Sequence, residues 1–282
     1  MNAQDVKSFL HERGIKLAGI APASRLRNVP DGRSPEKVLP GAKSVIAFGL
    51  PMSVGAVQAK FRALEDGLEA ADSVYGRYGR NTVPAEKLMA ASYALCHFIE
   101  RGCGAIAMPM MSGPWSMGRP LSLRHAAVAA GLGEFGLSKA VITPEYGPRV
   151  RWGAVITQLE LEPDEMYSGP RLCEPEKCCV CREICPAQVI PAEPDVSVDM
   201  AGREVRYGKL DFNRCRVECY GLKNMPEHPT DEEIEQGVQE LGFAPGGTLR
   251  PPTWKCDRCI VYCPAGGWKE KYSDTGLSKF GK

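Results

Sequence analysis

Cysteines are the residues of this sequence whose type and spacing point most directly to chemistry. The chain has 12 cysteines among 282 residues. The spacing C-x2-C-x3-C-P occurs twice, from Cys178 to Pro186 and from Cys256 to Pro264. Thiolates this close together in sequence can bind one metal centre. The repeated motif therefore predicts two similar metal centres.

The spacing favours iron-sulfur clusters over zinc. In the ferredoxin run C-x2-C-x2-C-x3-C-P, the last cysteine binds the other cluster when two are present. Structural zinc sites also use C-x2-C pairs, but the x3-C-P ending is a feature of the iron-sulfur run. The two motifs therefore predict two 4Fe-4S clusters that share ligands across the motifs.

The choice among the available thiols is only partly fixed. Two four-iron clusters take four thiolates each, whereas ten cysteines follow residue 165. Pro175 stands where the strict run has its first cysteine, so that Cys173 or Cys179 must replace it, and Cys215 or Cys219 must supply the last ligand. The preferred assignment is Cys173, Cys178, Cys181 and Cys263 for one cluster, and Cys185, Cys215, Cys256 and Cys259 for the other.

The elements that must position these cysteines divide the chain into two predicted domains, 1–165 and 166–282. In the first, apolar spacing predicts strands at 17–20, 44–50, 105–108 and 150–156, and helices over 57–68, 84–102 and 121–130. Cys96 and Cys103 lie here and fit small buried residues. The second has one clear helix, opened by a capping box at Thr230 and Glu233, so bound metal must help to hold it. The fold class is α+β.

Composition and charge exclude several classes of protein. The chain is 44% hydrophobic and 24% charged, which is normal for a globular protein, and its net charge is +1. No positive field would hold nucleic acid. No apolar run of about 18 residues, signal peptide or twin arginine is present. We expect a cytoplasmic protein that contacts no membrane and does not bind nucleic acid, in which disulfides are disfavoured.

Three stretches in the first domain resemble one superfamily. They are LPGAKSVI at 39–46, RHAAVAAGLGEFG at 124–136 and TPEYGPRVR at 143–151. With DFNRC at 211–215, they are similar to the cobalamin-binding cores of epoxyqueuosine reductases and reductive dehalogenases, over about residues 15 to 265. The resemblance implies a nitroreductase-like α/β core that holds cobalamin base-off, followed by a bacterial ferredoxin-like domain. A low-potential cluster can supply the electron that reduces cobalt.

The resemblance also implies functional residues outside the cysteines. The cobalamin contacts would be Arg124, Gly131, Leu132, Gly133, Tyr146 and Gly147. The glycines could equally end a helix, and Tyr146 with Gly147 could form a plain turn. Tyr75, Tyr78 and His125 are candidate proton donors for a reductive cleavage, with structural roles as the alternative. The basic stretch 203–223 could receive a low-potential electron donor such as a ferredoxin or flavodoxin.

Departures from the resemblance bear on the substrate. Met117 occupies the position where epoxyqueuosine reductases carry a proton-donating aspartate, and their helical-repeat extension is missing after Cys263. The expected function is therefore that of an oxidoreductase, a cobalamin-dependent iron-sulfur reductase acting on a small molecule or a modified nucleoside. The alternatives are an iron-sulfur protein that passes electrons to a partner protein, and an epoxyqueuosine reductase acting on tRNA.

Overall fold

A four-stranded antiparallel sheet lies at the centre of the first half of the chain. The computed structural model describes residues 1–30, 34–110, 120–241 and 255–267. The strands are β1 (Leu17–Pro22), β2 (Ser44–Pro51), β3 (Ala107–Met110) and β6 (Val150–Thr157), in the order β1-β2-β6-β3. All four were expected from the apolar runs, although β3 begins two residues later than predicted.

Helices cover both faces of this sheet. The first half contains α1 (Ala3–Glu12), α2 (Pro35–Val38), α3 (Val54–Glu65), α4 (Glu69–Val74), α5 (Thr82–Cys103) and α6 (Leu123–Ala129), with a 3-10 turn at Ala23–Leu26 and a π-helix at Tyr75–Arg80. On one face, α1 and α5 place Leu10 and Leu95 against Ile46 and Val155. The helices expected from apolar spacing are confirmed as α1, which the spacing of Val6, Phe9 and Leu10 predicts, and as α3, α5 and α6.

Alanines let α6 lie close to the other face. Residues 126–130 are AAVAA, and all five are buried with Val45 and Ala154 in one apolar cluster. The approach is so close that a Cβ on Gly19 of β1 would collide with the carbonyl oxygen of Ala130. Small residues therefore bring the 124–136 stretch onto the sheet.

A hairpin from the second half completes this apolar cluster. It consists of β7 (Val196–Met200) and β8 (Arg203–Tyr207). Its alternate residues Val198, Met200, Val205 and Tyr207 are buried in the same cluster as the α6 alanines. No strand was predicted in this segment, and that prediction was wrong, although the period-2 pattern of VSVDM and REVRY is typical of strands.

The rest of the second half is made of short elements. They are α7 (Val180–Glu183), α8 (Phe212–Tyr220), α9 (Asp231–Glu240) and α10 (Arg258–Val261), with the small pair β4 (Glu134–Phe135) and β5 (Val141–Ile142) contributed by the first half. The predicted capping box of α9 is present between Thr230 and Glu233. Helix α8, which was not predicted, is capped by the Asp211 side chain and ends at Gly221, whose φ is 68°. No helix in the described ranges has the length and apolar character needed to cross a bilayer.

A buried ion pair joins α3 and α4 to the segment before Cys256. Lys60 is fully buried and donates to Asp72 Oδ1 at 2.7 Å and to the carbonyl oxygen of Lys255 at 2.9 Å. Lys255 Nζ lies 3.2 Å from the other oxygen of Asp72. Both halves of the chain thus depend on one buried carboxylate.

We expect Asp72→Ala to lower the free energy of unfolding by about 3–5 kcal/mol, because it leaves the Lys60 ammonium buried without its carboxylate. Chemical denaturation under anaerobic conditions measures the loss. Glu160→Ala is the matched control, since it breaks the exposed pair Lys43–Glu160 and should cost less than about 1 kcal/mol. Equal losses of unfolding free energy in the two variants would show that the buried pair stabilises the protein no more than the exposed one.

Candidate metal centres

Nine of the cysteines after residue 165 gather in two groups. The first thiol group is Cys173, Cys178, Cys181 and Cys263, and the second thiol group is Cys185, Cys215, Cys219, Cys256 and Cys259. Each group contains thiols from both copies of the C-x2-C-x3-C-P motif. Cys263 joins the first motif, and Cys185 joins the second.

Within the first thiol group, burial raises the pKa of three thiols, and the charges of neighbouring thiols act in the same direction. Burial, with the charges of Cys263, Cys173 and Cys178, raises the pKa of Cys181 to about 12. Burial also raises the pKa of Cys263 to about 11, and the charges of Cys173 and Cys178 act in the same direction. The backbone N–H of Leu137 donates to Cys173 Sγ at 3.4 Å. Cys173 is therefore already turned toward the other three thiols.

The second thiol group is arranged in the same way but has a fifth member. Burial raises the pKa of Cys185, and the charges of Cys215 and Cys256 add to that rise. Burial raises the pKa of Cys259 well above its usual value, again with Cys215 and Cys256 contributing. Cys219 lies one helical turn beyond Cys215 on α8, with 3.9 Å between the two sulfurs.

The chemistry of these donors fits iron-sulfur clusters. Among the described residues, no three histidine, cysteine, aspartate or glutamate side chains converge as the ligands of a single metal ion. Each thiol group nevertheless offers at least four sulfurs within reach of one another's charge. Cysteine thiolates are the ligands by which four-iron clusters are held.

The TPEYGPR stretch fixes the end of the second motif. Arg149 is buried, and its guanidinium donates to the carbonyl oxygens of Ile260 at 3.3 Å, Cys263 at 2.8 Å and Ala265 at 2.5 Å. A Cβ on Gly147 would collide with the carbonyl oxygen of Ala265. Arg149 therefore satisfies the carbonyl groups left free after α10 and holds Cys263 in place.

A second network holds the loop between Cys256 and Cys259. Asp257 is buried with a positive φ of 85°. Its Oδ2 accepts a hydrogen bond from the Tyr75 hydroxyl at 2.7 Å and lies 2.6 Å from Arg80 Nε. Burial raises the pKa of Tyr75 well above its usual value, and the Asp257 charge acts in the same direction. The Tyr75 phenol therefore stays protonated.

The three candidate proton donors do not share a site. Tyr75 is buried against Asp257, whereas Tyr78, on the same π-helix, is 58% exposed. His125 is buried on α6 between the Ser122 hydroxyl at 2.7 Å and the Tyr207 hydroxyl at 3.1 Å. Tyr75 alone of the three lies beside a thiol group, since the charge of Cys259 also raises its pKa.

Arg124 lies near the second thiol group. Burial lowers its pKa to about 10, and the charge of Arg80 acts in the same direction. Its Nη1 donates to the carbonyl oxygen of Lys139 at 3.1 Å, and its guanidinium carbon lies 5.2 Å from the centre of the Phe212 ring. The charge of Cys215 raises the pKa of Arg124, which places this cation within reach of a prospective cluster ligand.

The glycines assigned to cobalamin contact are packed against the chain itself. Gly131 ends α6 with a φ of 76°, and a Cβ there would collide with the carbonyl oxygen of Glu165. Gly133 would meet the carbonyl oxygen of Ile142 in the same way. Leu132 lies half-buried against the apolar cluster. The helix-end interpretation of these positions is thus the one that the contacts support.

Tyr146 likewise belongs to a tight turn. Its backbone N–H donates to Thr143 Oγ1 at 3.0 Å, and Thr143 and Gly147 pair their backbones. The turn leads directly into Arg149, so its first structural use is to present that guanidinium to the second motif. Met117 lies outside the described residues.

The basic stretch 203–223 is not a uniform exposed face. Arg216 is buried and its guanidinium bonds Asp231 at 2.5 Å. Arg214 donates to the carbonyl oxygen of Glu227 at 3.2 Å, and Arg206 donates to that of Pro194 at 3.1 Å. These contacts tie α8 to α9 and brace the hairpin.

Sequence reasoning missed Arg80, Arg149 and Asp257. Arg149 stood within a stretch quoted for its resemblance, and Asp257 stood inside a cysteine motif. Nothing local marks either as buried, because their partners lie more than a hundred residues away in sequence. Their role becomes visible only when both halves are seen together.

Comparison with known sequences finds relatives of two kinds, while no family model matches the chain. Tetrachloroethene reductive dehalogenase of Sulfurospirillum multivorans is 36% identical over 129 residues, which cover 43% of this chain and 23% of that protein. Epoxyqueuosine reductase of Gloeobacter violaceus is 28% identical over 254 residues, 89% of this chain and 65% of that protein. The chain therefore spans less than two thirds of either relative.

Solved structures of both kinds share the fold. Epoxyqueuosine reductase from Streptococcus thermophilus superposes with a TM-score of 0.56 at 19% identity, covering 95% of this chain and 67% of that one. A reductive dehalogenase, described as suggesting a mechanism for B12-dependent dehalogenation, gives 0.53 at 16% identity, covering 95% and 36%. The chain is a mixed helix and strand protein, and its sequence relatives and fold neighbours support the superfamily of the reductive dehalogenases and epoxyqueuosine reductases.

Proposed function

We propose that this chain is a cobalamin-dependent iron-sulfur reductase that carries out low-potential reductive chemistry on a small molecule or a modified nucleoside. Electrons would pass through two 4Fe-4S clusters to base-off cobalamin. The observation that carries the proposal is the exchange of Cys185 and Cys263 between the two thiol groups. This exchange is the arrangement expected of a two-cluster ferredoxin domain.

The two proposed domains correspond to the two kinds of cofactor, cobalamin and the iron-sulfur clusters. Residues 1–165 would form the nitroreductase-like core around the four-stranded sheet, and residues 166–282 the ferredoxin-like domain. The short helices α7 and α10, each of which carries one motif cysteine, lie against each other. The β7–β8 hairpin contributes to the core of the first part, so the two domains are expected to fold together.

In the proposed function, side chains of this chain hold the cysteine motifs in position. Clusters bound to the two thiol groups would supply single electrons, and cobalamin would supply a low-potential cobalt centre. Arg149 fixes the chain around Cys263, and Asp257 is held by Tyr75 and Arg80. Among the candidate proton donors, Tyr75 holds its proton on a hydroxyl beside the second thiol group.

The cobalamin proposal is supported by the superfamily resemblance rather than by the glycines. One fold neighbour is described as B12-dependent in its dehalogenation. Of the six positions assigned to cobalamin by resemblance, Arg124 has a cationic side chain that no described carboxylate pairs. The residues proposed to hold the cofactor remain Arg124, Gly131, Leu132, Gly133, Tyr146 and Gly147.

A second candidate function is epoxyqueuosine reduction on tRNA. It is favoured by the alignment that covers 89% of this chain. A fold neighbour, with a TM-score of 0.54, is an epoxyqueuosine reductase bound to a tRNA-Tyr stem loop, which weakens the expectation that nucleic acid is not a partner. Met117, in place of the proton-donating aspartate, counts against this function because a thioether has no proton to give.

The third candidate is electron transfer to a partner protein without substrate chemistry. It needs the clusters but no cobalamin, so cobalamin binding separates it from the leading proposal. The proposed physiological donor is a ferredoxin or flavodoxin.

Anaerobic reconstitution of the full chain should give about eight irons per chain, four for each thiol group. Iron and acid-labile sulfide assays measure this directly. Stoichiometric zinc with iron near zero would contradict the cluster proposal.

Cobalamin should bind the reconstituted protein in the base-off form, as the resemblance implies, and without a protein histidine on cobalt, because the sequence has no D-x-H-x-x-G motif. The visible spectrum on mixing distinguishes base-off from base-on. Arg124→Gln should weaken binding, whereas Arg206→Gln, whose side chain braces the hairpin, should not. An unchanged spectrum would place electron transfer to a partner protein first.

Cys173→Ser should lower the iron content by about four per chain, while Cys179→Ser should leave it nearly unchanged. Cys173 belongs to the first thiol group, whereas the thiol of Cys179 donates to Glu183 Oε1 at 2.8 Å. Cys103→Ser, on the remote end of α5, is the control for the loss of any cysteine. The opposite pattern would make Cys179 the ligand and leave the two-cluster proposal intact.

A further inference from the structure

The second thiol group contains one thiol more than a cubane can use. Its members are Cys185, Cys215, Cys219, Cys256 and Cys259, and a four-iron cluster takes four thiolates. Sequence spacing left Cys215 and Cys219 as alternatives for the last ligand. Their positions in the structure separate them.

Cys219 is on the apolar side of α8. It is 6% exposed and packs with Met52, Phe61, Tyr75 and Val261. Its carbonyl oxygen accepts a hydrogen bond from the backbone N–H of Lys255 at 2.9 Å. Cys219 is therefore fixed behind the second motif, with hydrocarbon on its outer side.

Cys215 precedes Cys219 by one turn on the same face of α8, but it is only partly buried. Its charge acts on both Cys185 and Cys259, raising the pKa of each. The thiol of Cys219 interacts instead with the sulfurs of Cys215 and Cys256. Cys185, Cys215, Cys256 and Cys259 are all partly buried, whereas Cys219 is buried in an apolar cluster against which Cys215 and Cys256 pack.

A thiol in this position is suited to donate rather than to coordinate. An S–H group is a weak hydrogen-bond donor. Hydrogen bonds to the sulfurs of a cluster stabilise its more negative, reduced state and so raise its reduction potential. The sulfur of Cys219 lies 3.9 Å from the sulfur of Cys215, which is within hydrogen-bond distance for two sulfurs.

We propose that Cys219 is not a cluster ligand but a hydrogen-bond donor to the ligand sulfurs Cys215 and Cys256, and that it raises the reduction potential of the cluster on the second thiol group. The inference rests on the proposed function, because it requires the cluster. It assigns Cys219 as a positioning residue and Cys215 as the ligand.

The test compares Cys219→Ala, Cys219→Ser and Cys215→Ala in the full chain, reconstituted anaerobically. Iron content and an EPR-monitored redox titration are measured for each. Cys219→Ala should keep about eight irons. At the wild-type midpoint of one cluster, its reduced-to-oxidised ratio should fall about tenfold, which is 59 mV for a one-electron couple.

The other variants supply the controls. Cys219→Ser retains a donor and should lie between Cys219→Ala and the wild type, and Cys215→Ala should lose about four irons. The midpoint of the cluster on the first thiol group should not move in Cys219→Ala. Cys219→Ser also covers the case in which the alanine variant does not fold.

Two outcomes overturn the inference alone. If Cys219→Ala loses about four irons while Cys215→Ala keeps eight, Cys219 is the ligand. If both Cys219 variants keep their iron and both midpoints, Cys219 only fills space. Wild-type protein that binds no iron would instead overturn the proposed function itself.

Discussion

The arrangement of the whole chain depends on the crossing of cysteines between two distant motifs. Cys263 must reach the first thiol group and Cys185 the second. The two motifs must therefore stand side by side in one fixed register. A peptide of this composition has few apolar contacts of its own, so that the register must be set by other groups. Those groups come from the first half of the chain.

Three buried polar contacts set this register, and each joins a side chain of the first half to the second motif. Lys60 binds the carbonyl of Lys255, and Arg149 binds the carbonyls after α10. Tyr75 with Arg80 holds Asp257. Charged groups in such places are costly to bury unless every one is paired. Here the partners are backbone carbonyls and carboxylates, which lower the cost of burial and make the geometry specific.

The charges around the second thiol group form a balanced set. Thiolates near one another are unfavourable, as the raised pKa of Cys259 indicates, with burial as its main cause and Cys215 next. Arg80 and Arg124 bring positive charge to the same region. A bound four-iron cluster with four thiolates is an anion, so these cations stabilise it. Asp257 offsets part of that charge and keeps the Arg80 side chain in place.

Local patterns in the sequence were enough for the elements that depend on local physics. The apolar runs predicted the four strands of the sheet, and the capping box predicted α9. The hairpin β7–β8 and helix α8 were missed because each has only a short or weakly amphipathic pattern, and the hairpin is stabilised by contacts with α6. The buried network of Asp257 could not be predicted, because its partners are far away in sequence. Spacing also proposed the members of the first thiol group, and their role as cluster ligands stays a prediction.

The motifs that carry the family resemblance identify the fold better than the substrate. Gly131 and Gly133 allow close contacts with Glu165 and Ile142, and the PEYGPR turn presents Arg149 to the second motif. These close approaches are required by the fold itself. Any substrate specificity must therefore come from side chains that have no structural role in the fold. In the described part of the chain, Arg124 is such a side chain, because its guanidinium contacts a carbonyl and an aromatic ring rather than a carboxylate.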